Sequence, residues 1–180
     1  MKTAYLIAAI AVVGLGLGLG YSLYEKQADP ASKDTPKALE SLNHLPRFSY
    51  PDLQGNMRSS EEWSDKIVVL NYWATWCPPC KKEIPDFIKT QTKYARNVQF
   101  VGIAIDDKQP VQEFADKFGI NYPTLLGDMN AIAISKQLGN RFSGLPFTAI
   151  FDSQGRLYHQ QAGEMDSTDL ETHLKALLQL

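Results

Sequence analysis

The sequence predicts an α/β fold, a mixed sheet with helices on both sides, preceded by one transmembrane helix. Three observations predict it. Apolar runs rich in β-branched residues alternate with segments of helical spacing. The chain closes on a strand, a tight turn, a second strand and a last helix. Residues 4–24, AYLIAAIAVVGLGLGLGYSLY, contain no charged side chain.

As a helix, residues 4–24 would span roughly 31 Å at about 1.5 Å per residue, close to the thickness of a bilayer core. Lys2 precedes the run, and Tyr5, Tyr21 and Tyr24 lie near its ends, where aromatic rings favour the interface. Gly14, Gly16, Gly18 and Gly20 lower helix propensity, but lipid penalises exposed backbone so strongly that a helix is the form expected to span. A cleaved signal peptide is the rival reading. Its apolar core is usually shorter, and Glu25-Lys26-Gln27-Ala28 makes a poor cleavage site, so an uncleaved signal-anchor is expected. Positive charge at the start would keep residues 1–3 in the cytoplasm. The rest would stand beyond the inner (cytoplasmic) membrane, facing the periplasm or the cell exterior. Residues 25–45 mix Pro30 and Pro36 with polar and charged residues and read as a linker, leaving 46–180 as the folded domain.

Within that domain, residues 48–53 and 57–60 flank Gln54-Gly55-Asn56 and predict a short hairpin. Residues 67–73, Ile-Val-Val-Leu-Asn-Tyr-Trp, read as a strand covered on both faces. Ile84, Phe87, Ile88, Gln91 and Tyr94 then keep helical spacing, and 98–105 is a second buried strand. Pro110 opens a helix with the stripe Val111, Phe114, Ala115 and Phe118, closed by Gly119. A short strand near 124–126 and a helix over 130–138 follow. Residues 147–151 and 156–161 form strands about the turn Asp152-Ser153-Gln154-Gly155. The last helix buries Leu170, Leu174, Leu177 and Leu178, with Thr168 and Glu171 expected as its capping box.

Composition narrows the function. Hydrophobic residues make up 44% of the 180, enough to build a core and to exclude wholesale disorder. The formal net charge is −2, with acids and bases interspersed, so there is no basic face to displace counterions and no nucleic-acid partner is expected. There are two cysteines, Cys77 and Cys80. A secreted fold stapled by disulfides would spread several to close long loops, so this pair serves something else.

Cys77-Pro78-Pro79-Cys80 stands where a buried strand ends and a helix begins. A helix start presents unpaired N–H groups and the positive end of the macrodipole, and both favour a thiolate, the nucleophilic form. Two intervening residues bring Cys80 back beneath Cys77. Cys77 is therefore expected to be an exposed attacker of a partner disulfide, and Cys80, deeper and protonated at rest, to resolve the mixed disulfide. Pro78 and Pro79 stiffen the loop at little cost, because a proline in the first turn lacks an N–H that had no partner anyway. The alternatives are a zinc half-site or an inert disulfide. Zinc needs a second ligand pair, and His44, His159 and His173 have no ligand spacing, so neither metal nor cofactor is expected beyond the redox-active pair.

From Leu45 to Leu180 the chain resembles the thioredoxin superfamily, and within it the membrane-tethered TlpA/ResA/CcmG-like thiol–disulfide oxidoreductases. The residues carrying the resemblance are Asn71-Tyr72-Trp73-Ala74-Thr75-Trp76-Cys77-Pro78-Pro79-Cys80, Pro85, and Gly144-Leu145-Pro146-Phe147-Thr148. It implies a thioredoxin fold with an N-terminal hairpin extension and a central helix–strand insertion at about 110–126. It also implies that Pro146 is a cis-proline facing the disulfide, where Leu145 and Pro146 offer backbone to an extended substrate segment. An ordinary trans turn proline is the alternative. Asn71 stands where many thioredoxins carry a buried Asp. Glu83 matches a glutamate that tunes the thiols in ResA-like members. Two readings of it stay open: a proton-handling carboxyl, or an exposed first-turn acid favouring the helix dipole. Trp76, with Pro78 and Pro79, is expected on the substrate-docking surface, with core packing the alternative for Trp76. Trp73 is expected in the core, and Lys81 and Lys82 on a solvated face.

The resemblance further implies a reductant of extracytoplasmic protein disulfides, as in cytochrome c biogenesis with apocytochrome c as a partner, recharged by a membrane electron donor. A disulfide oxidant or isomerase uses the same two cysteines in the other direction. A thiol peroxidase would need a lone cysteine in a Pro-x-x-x-Thr/Ser-x-x-Cys setting, which Cys77 lacks. A non-catalytic binding module would have no need of the pair.

Overall fold

The computed structural model describes residues 43–180. The expected cytoplasmic start, the transmembrane helix over 4–24 and most of the expected linker lie outside the described residues. Among the described residues, no helix is long and apolar enough to cross a membrane.

A hairpin comes first: β1 (Ser49–Pro51) pairs antiparallel with β2 (Met57–Ser59). A short 3-10 helix, Ser60–Trp63, follows. Then come β3 (Ile67–Trp73), α1 (Pro78–Tyr94), β4 (Val98–Ala104), α2 (Lys108–Phe118), β5 (Thr124–Leu126) and α3 (Met129–Gln137). The chain ends with β6 (Phe147–Phe151), β7 (Leu157–Ala162) and α4 (Ser167–Leu178). The main sheet has the order β5-β4-β3-β6-β7. β3 runs parallel to β4 and antiparallel to β6, and β4 runs parallel to β5. Central β3 is buried at every position, which is why its sequence is a continuous apolar run, whereas edge strand β7 alternates between half-buried and exposed.

Strand alternation divides the core. Val68, Leu70 and Tyr72 face the hairpin and α3, packing with Phe48, Tyr50, Ala131 and Ile134. On the other face, Ile67 and Val69 pack with Phe87, Leu170 and Leu174, and Trp73 packs with Ile84, Val111 and Phe114. Helices therefore cover both faces, as expected. α2 and β5 form the inserted pair and add one parallel strand at the sheet edge.

The differences from expectation have local causes. The hairpin strands are three residues each, shorter than 48–53 and 57–60, because Asp52 turns the chain by accepting the Gln54 and Asn56 N–H groups. α2 begins at Lys108, two residues before Pro110, since any position in the first turn tolerates a missing N–H. Gly119 closes it in the left-handed region at φ 66°, as read from sequence. The expected Thr168–Glu171 capping box is absent. Asp166 caps α4 instead, accepting the N–H groups of Thr168 and Asp169, while Glu171 pairs with Lys93 and Lys175. A carboxylate at the dipole's positive end outcompetes a hydroxyl. A capping box does form at Ser59 and Glu62, where the sequence reading placed none. Asn43 and Leu45, on the linker side of the expected boundary, are already tied to the domain. The Leu157 N–H donates to Asn43 O at 2.6 Å, and the Leu45 N–H to Gly155 O at 2.7 Å.

Candidate active site

β3 delivers the chain to the cysteines. Its antiparallel pairing of Tyr72 with Phe147 sets the end of β3 beside the start of β6. The segment after β3 and the segment before β6 therefore emerge together. The Thr75 backbone N–H and hydroxyl both donate to Asp106 Oδ2 just past β4, fixing the approach. Cys77 is the N-cap of α1, in extended conformation, with Pro78 and Pro79 opening the helix. The Cys80 N–H donates to Cys77 Sγ at 3.3 Å. The two sulfurs are bonded at 2.07 Å, with Cα atoms 5.4 Å apart.

Exposure of the pair departs from expectation. Cys77 retains only 3% of its surface, and Cys80 retains none. Both residues belong to one apolar cluster with Trp73, Ala104, Ile84 and Val111, against which Leu145 packs. Cys77 is thus an almost covered sulfur residue rather than an openly exposed one. The ordering survives, since Cys80 has no surface a partner could touch. Trp76 is 64% exposed beside the pair, so the core-packing alternative does not hold for it. Trp73 is wholly buried, and Lys81 and Lys82 are exposed, as expected. Pro78 is exposed and Pro79 half-buried. The Leu145–Pro146 peptide bond is cis; among the described residues the other prolines are trans.

Glu83 lies one helical turn beyond Cys80 and is buried, with 2% of its surface left. This rules out the exposed first-turn acid. Glu83 Oε1 accepts from Asn71 Nδ2 at 2.8 Å, and Oε2 accepts from the Met165 N–H at 3.0 Å. Asn71 Nδ2 also donates to Thr148 Oγ1 on β6 at 3.0 Å. Burial pushes the Glu83 carboxyl up to about 7; the two donated hydrogen bonds pull it down in part, and the Glu164 charge adds a further push upward. A buried carboxyl that changes charge near neutral pH can take up or release a proton beside the thiols.

Several site residues escaped sequence reasoning. Met165 anchors Glu83, Thr148 anchors the Asn71 amide that holds it, and Asp106 anchors Thr75. Asn71 and Thr148 carried a signal, because a polar residue inside an apolar strand must meet a partner. Phe142 is 95% exposed, three residues before Leu145. Its loop is held by Asn140, which donates to Gly144 O and accepts from the Gly144 N–H, at 2.9 and 3.0 Å. Among the described residues, no group of three or more His, Cys, Asp or Glu is placed to hold a metal ion.

Comparison with known proteins places this geometry among relatives. The Redoxin family model matches residues 40–178. The thiol-disulfide oxidoreductase ResA of Geobacillus kaustophilus (strain HTA426) is 27% identical over 179 residues, covering 98% of this chain and 94% of its own. The thioredoxin-like protein YneN of Bacillus subtilis (strain 168) is 28% identical over 172 residues, 93% of this chain and 95% of its own. Among solved structures, a thioredoxin-family thiol:disulfide interchange protein from Chlorobium tepidum TLS superposes with a TM-score of 0.67 and 29% identity, over 76% of this chain and 96% of that one. A secreted thiol-disulfide isomerase from Corynebacterium glutamicum gives a TM-score of 0.67 and 25% identity, over 76% and 86%.

Proposed function

The chain belongs to the Redoxin family, and on that footing we propose that it is a membrane-anchored reductant of extracytoplasmic protein disulfides. The chain is a thiol–disulfide oxidoreductase. The observation that carries the reading is a bonded Cys77–Cys80 pair at the start of α1, with Cys80 fully sealed and Cys77 keeping the pair's last 3% of surface.

In the reduced protein the Cys77 thiolate is supported by the helix start and by the Cys80 N–H aimed at its sulfur. It attacks one sulfur of a partner disulfide; that S–S bond breaks, and a partner thiolate leaves. Cys80 gives its proton to the Glu83 carboxylate, and the resulting thiolate attacks Cys77 Sγ. The mixed disulfide breaks and the second partner thiolate leaves. Two electrons have passed to the partner, and Cys77–Cys80 is oxidised. Trp76, Pro78, Pro79, Leu145 and cis-Pro146 receive the partner segment. The pair needs no metal or cofactor of its own, and a membrane electron donor restores the thiols.

The reductive direction, the apocytochrome c class of partner and the anchor over 4–24 rest on the ResA-like resemblance and on the uncharged N-terminal run. Cys77→Ser should abolish reduction of a model protein disulfide, and a Cys80→Ala variant should trap partners as mixed disulfides on Cys77. Retained activity in Cys77→Ser would overturn the mechanism. Similarity to a secreted isomerase favours a second reading, in which the pair runs as oxidant or isomerase. The reduction potential separates them: the reductant belongs near about −270 mV, and a value near about −120 mV would establish the oxidant.

A further inference from the structure

The two carboxyl oxygens of Glu83 stand in unlike settings. Oε2 accepts from the Met165 backbone N–H at 3.0 Å, a group that can only donate. Oε1 meets the Asn71 amide, whose Nδ2 donates to it at 2.8 Å and to Thr148 Oγ1 at 3.0 Å. Asn71 Oδ1, by contrast, is buried with no hydrogen-bond partner among the described residues. The other groups facing Glu83 are the Glu164 charge, itself paired with Lys82 at 3.7 Å, and the Tyr122 phenol, which burial pushes up and keeps neutral.

A proton arriving on Glu83 must therefore sit on Oε1, because the Met165 N–H already points at Oε2. There it would meet a second donor, Asn71 Nδ2, and the bond between the two side chains would be lost. Asn71, Glu83 and Thr148 are all buried, so solvent does not make that loss good. A half-turn of the Asn71 amide removes the conflict. It puts Oδ1 where Nδ2 stood, to accept from the Glu83 O–H. The Thr148 hydroxyl, which both donates and accepts, turns to donate to the same oxygen. Either orientation leaves one amide atom unpaired, so the proton on Glu83 decides between them.

We propose that the Asn71 amide is a two-position switch set by Glu83, its nitrogen facing the carboxylate and its oxygen facing the acid. The proposal deepens, and rests on, the reading of Glu83 as the group that accepts the Cys80 proton. As that proton passes, the Cys80 S–H bond breaks and a Glu83 O–H bond forms. The Nδ2–H···Oε1 bond gives way to Oε1–H···Oδ1, and no electrons move within the switch. A side chain that could only donate would hold Glu83 as its carboxylate and oppose the transfer. Asn71 is thus a positioning residue that satisfies both forms of the carboxyl.

The test is NMR on the full oxidised chain in detergent, following the Asn71 side-chain amide and the Glu83 carboxyl carbon from pH 5 to pH 8.5. At pH 8.5 the Asn71 amide protons should show strong cross-relaxation with Thr148. This should fade at low pH in step with the Glu83 carbon shift. Glu83→Gln supplies the acid's pattern permanently, since the Met165 N–H needs an oxygen and leaves the new NH2 group facing Asn71. That variant should show the low-pH Asn71 pattern at every pH. Thr148 contacts that persist while the Glu83 carbon titrates would overturn the switch, as would a native high-pH pattern in Glu83→Gln. A Glu83 carbon that does not titrate over this range means that the Glu83 reading itself fails, and the switch falls with it. Function is read as the rate at which Cys80 expels thionitrobenzoate from a mixed disulfide preloaded on Cys77. Asn71→Leu should slow this about tenfold, less than the roughly hundredfold minimum for loss of an acid–base group itself. In a Glu83→Gln background it should slow it no further, and equal slowing in both backgrounds would make Asn71 a packing residue and overturn the switch. If Asn71→Leu does not fold, the spectra of the native chain and of Glu83→Gln decide alone.

Discussion

Glu83 makes stability a function of pH. Its folded carboxyl titrates at about 7 against an ordinary value of 4.5, because burial disfavours the charge. The folded state therefore holds this proton more tightly than the unfolded chain does. The stabilising contribution is complete below about pH 4.5 and is lost as pH rises through about 7. At about 1.4 kcal/mol per pH unit of difference, the loss approaches ~3 kcal/mol. Urea unfolding of the oxidised protein at pH 5 and pH 8.5 should show it: the native chain loses up to ~3 kcal/mol that Glu83→Gln does not. Parallel losses in the two proteins would show that Glu83 ionises normally. The cysteine pair was legible in the sequence because its spacing falls where a buried strand ends and a helix begins. The burial of Glu83 was not, since an acid in the second turn of a helix is usually solvated. What holds it are the Met165 N–H and Asn71, whose amide also meets Thr148; Asn71 and Thr148 lie on separate apolar strands and become register partners only once the sheet is assembled.

At the scale of elements, the loop entering β6 combines a rigid frame with an unsupported aromatic. Asn140 is buried and staples the loop to Gly144, while Phe142 stands in solvent with Ser143 beside it at φ 52°. An aromatic ring held out on a stiff loop is suited to anchoring a partner chain, and truncating such an anchor commonly costs at least about 1 kcal/mol of binding. Phe142→Ser should lower kcat/KM for a protein disulfide by about fivefold or more. Its rate with a small aromatic disulfide should not change; equal losses on both substrates would point to a damaged fold instead. The cap of α4 gives a second test. Asp166→Ala should cost about 1 kcal/mol in thermal unfolding and Thr168→Ala only a few tenths, the reverse of what the capping-box pattern predicts. Strands such as β3 were readable because full burial writes itself as an unbroken apolar run. Helix ends were less so, because several oxygen-bearing side chains near each start compete for the same free N–H groups and the winner is decided by local geometry.

At the scale of the whole molecule, the three apolar clusters are assembled from residues between Leu45 and Leu178. The redox pair, Glu83 and its anchors lie within the same span. Nothing in the chemistry described above calls on residues 4–24, whose uncharged run is suited to lipid rather than to a water-facing core. Folding and location should therefore separate. A fragment of residues 43–180 should melt within a few degrees of the full chain in detergent, react at the same rate with a small disulfide, and stay in the soluble fraction after ultracentrifugation. The full chain should sediment with membranes and resist extraction by high salt, because burial of an apolar helix is not screened by ions. Starting the fragment at residue 48 instead removes the Leu45 backbone bond to Gly155 and its packing on the core, and should cost about 1–3 kcal/mol. An unfolded 43–180 fragment would show that the N-terminal run belongs to the domain, and a full chain released by salt alone would remove the anchor.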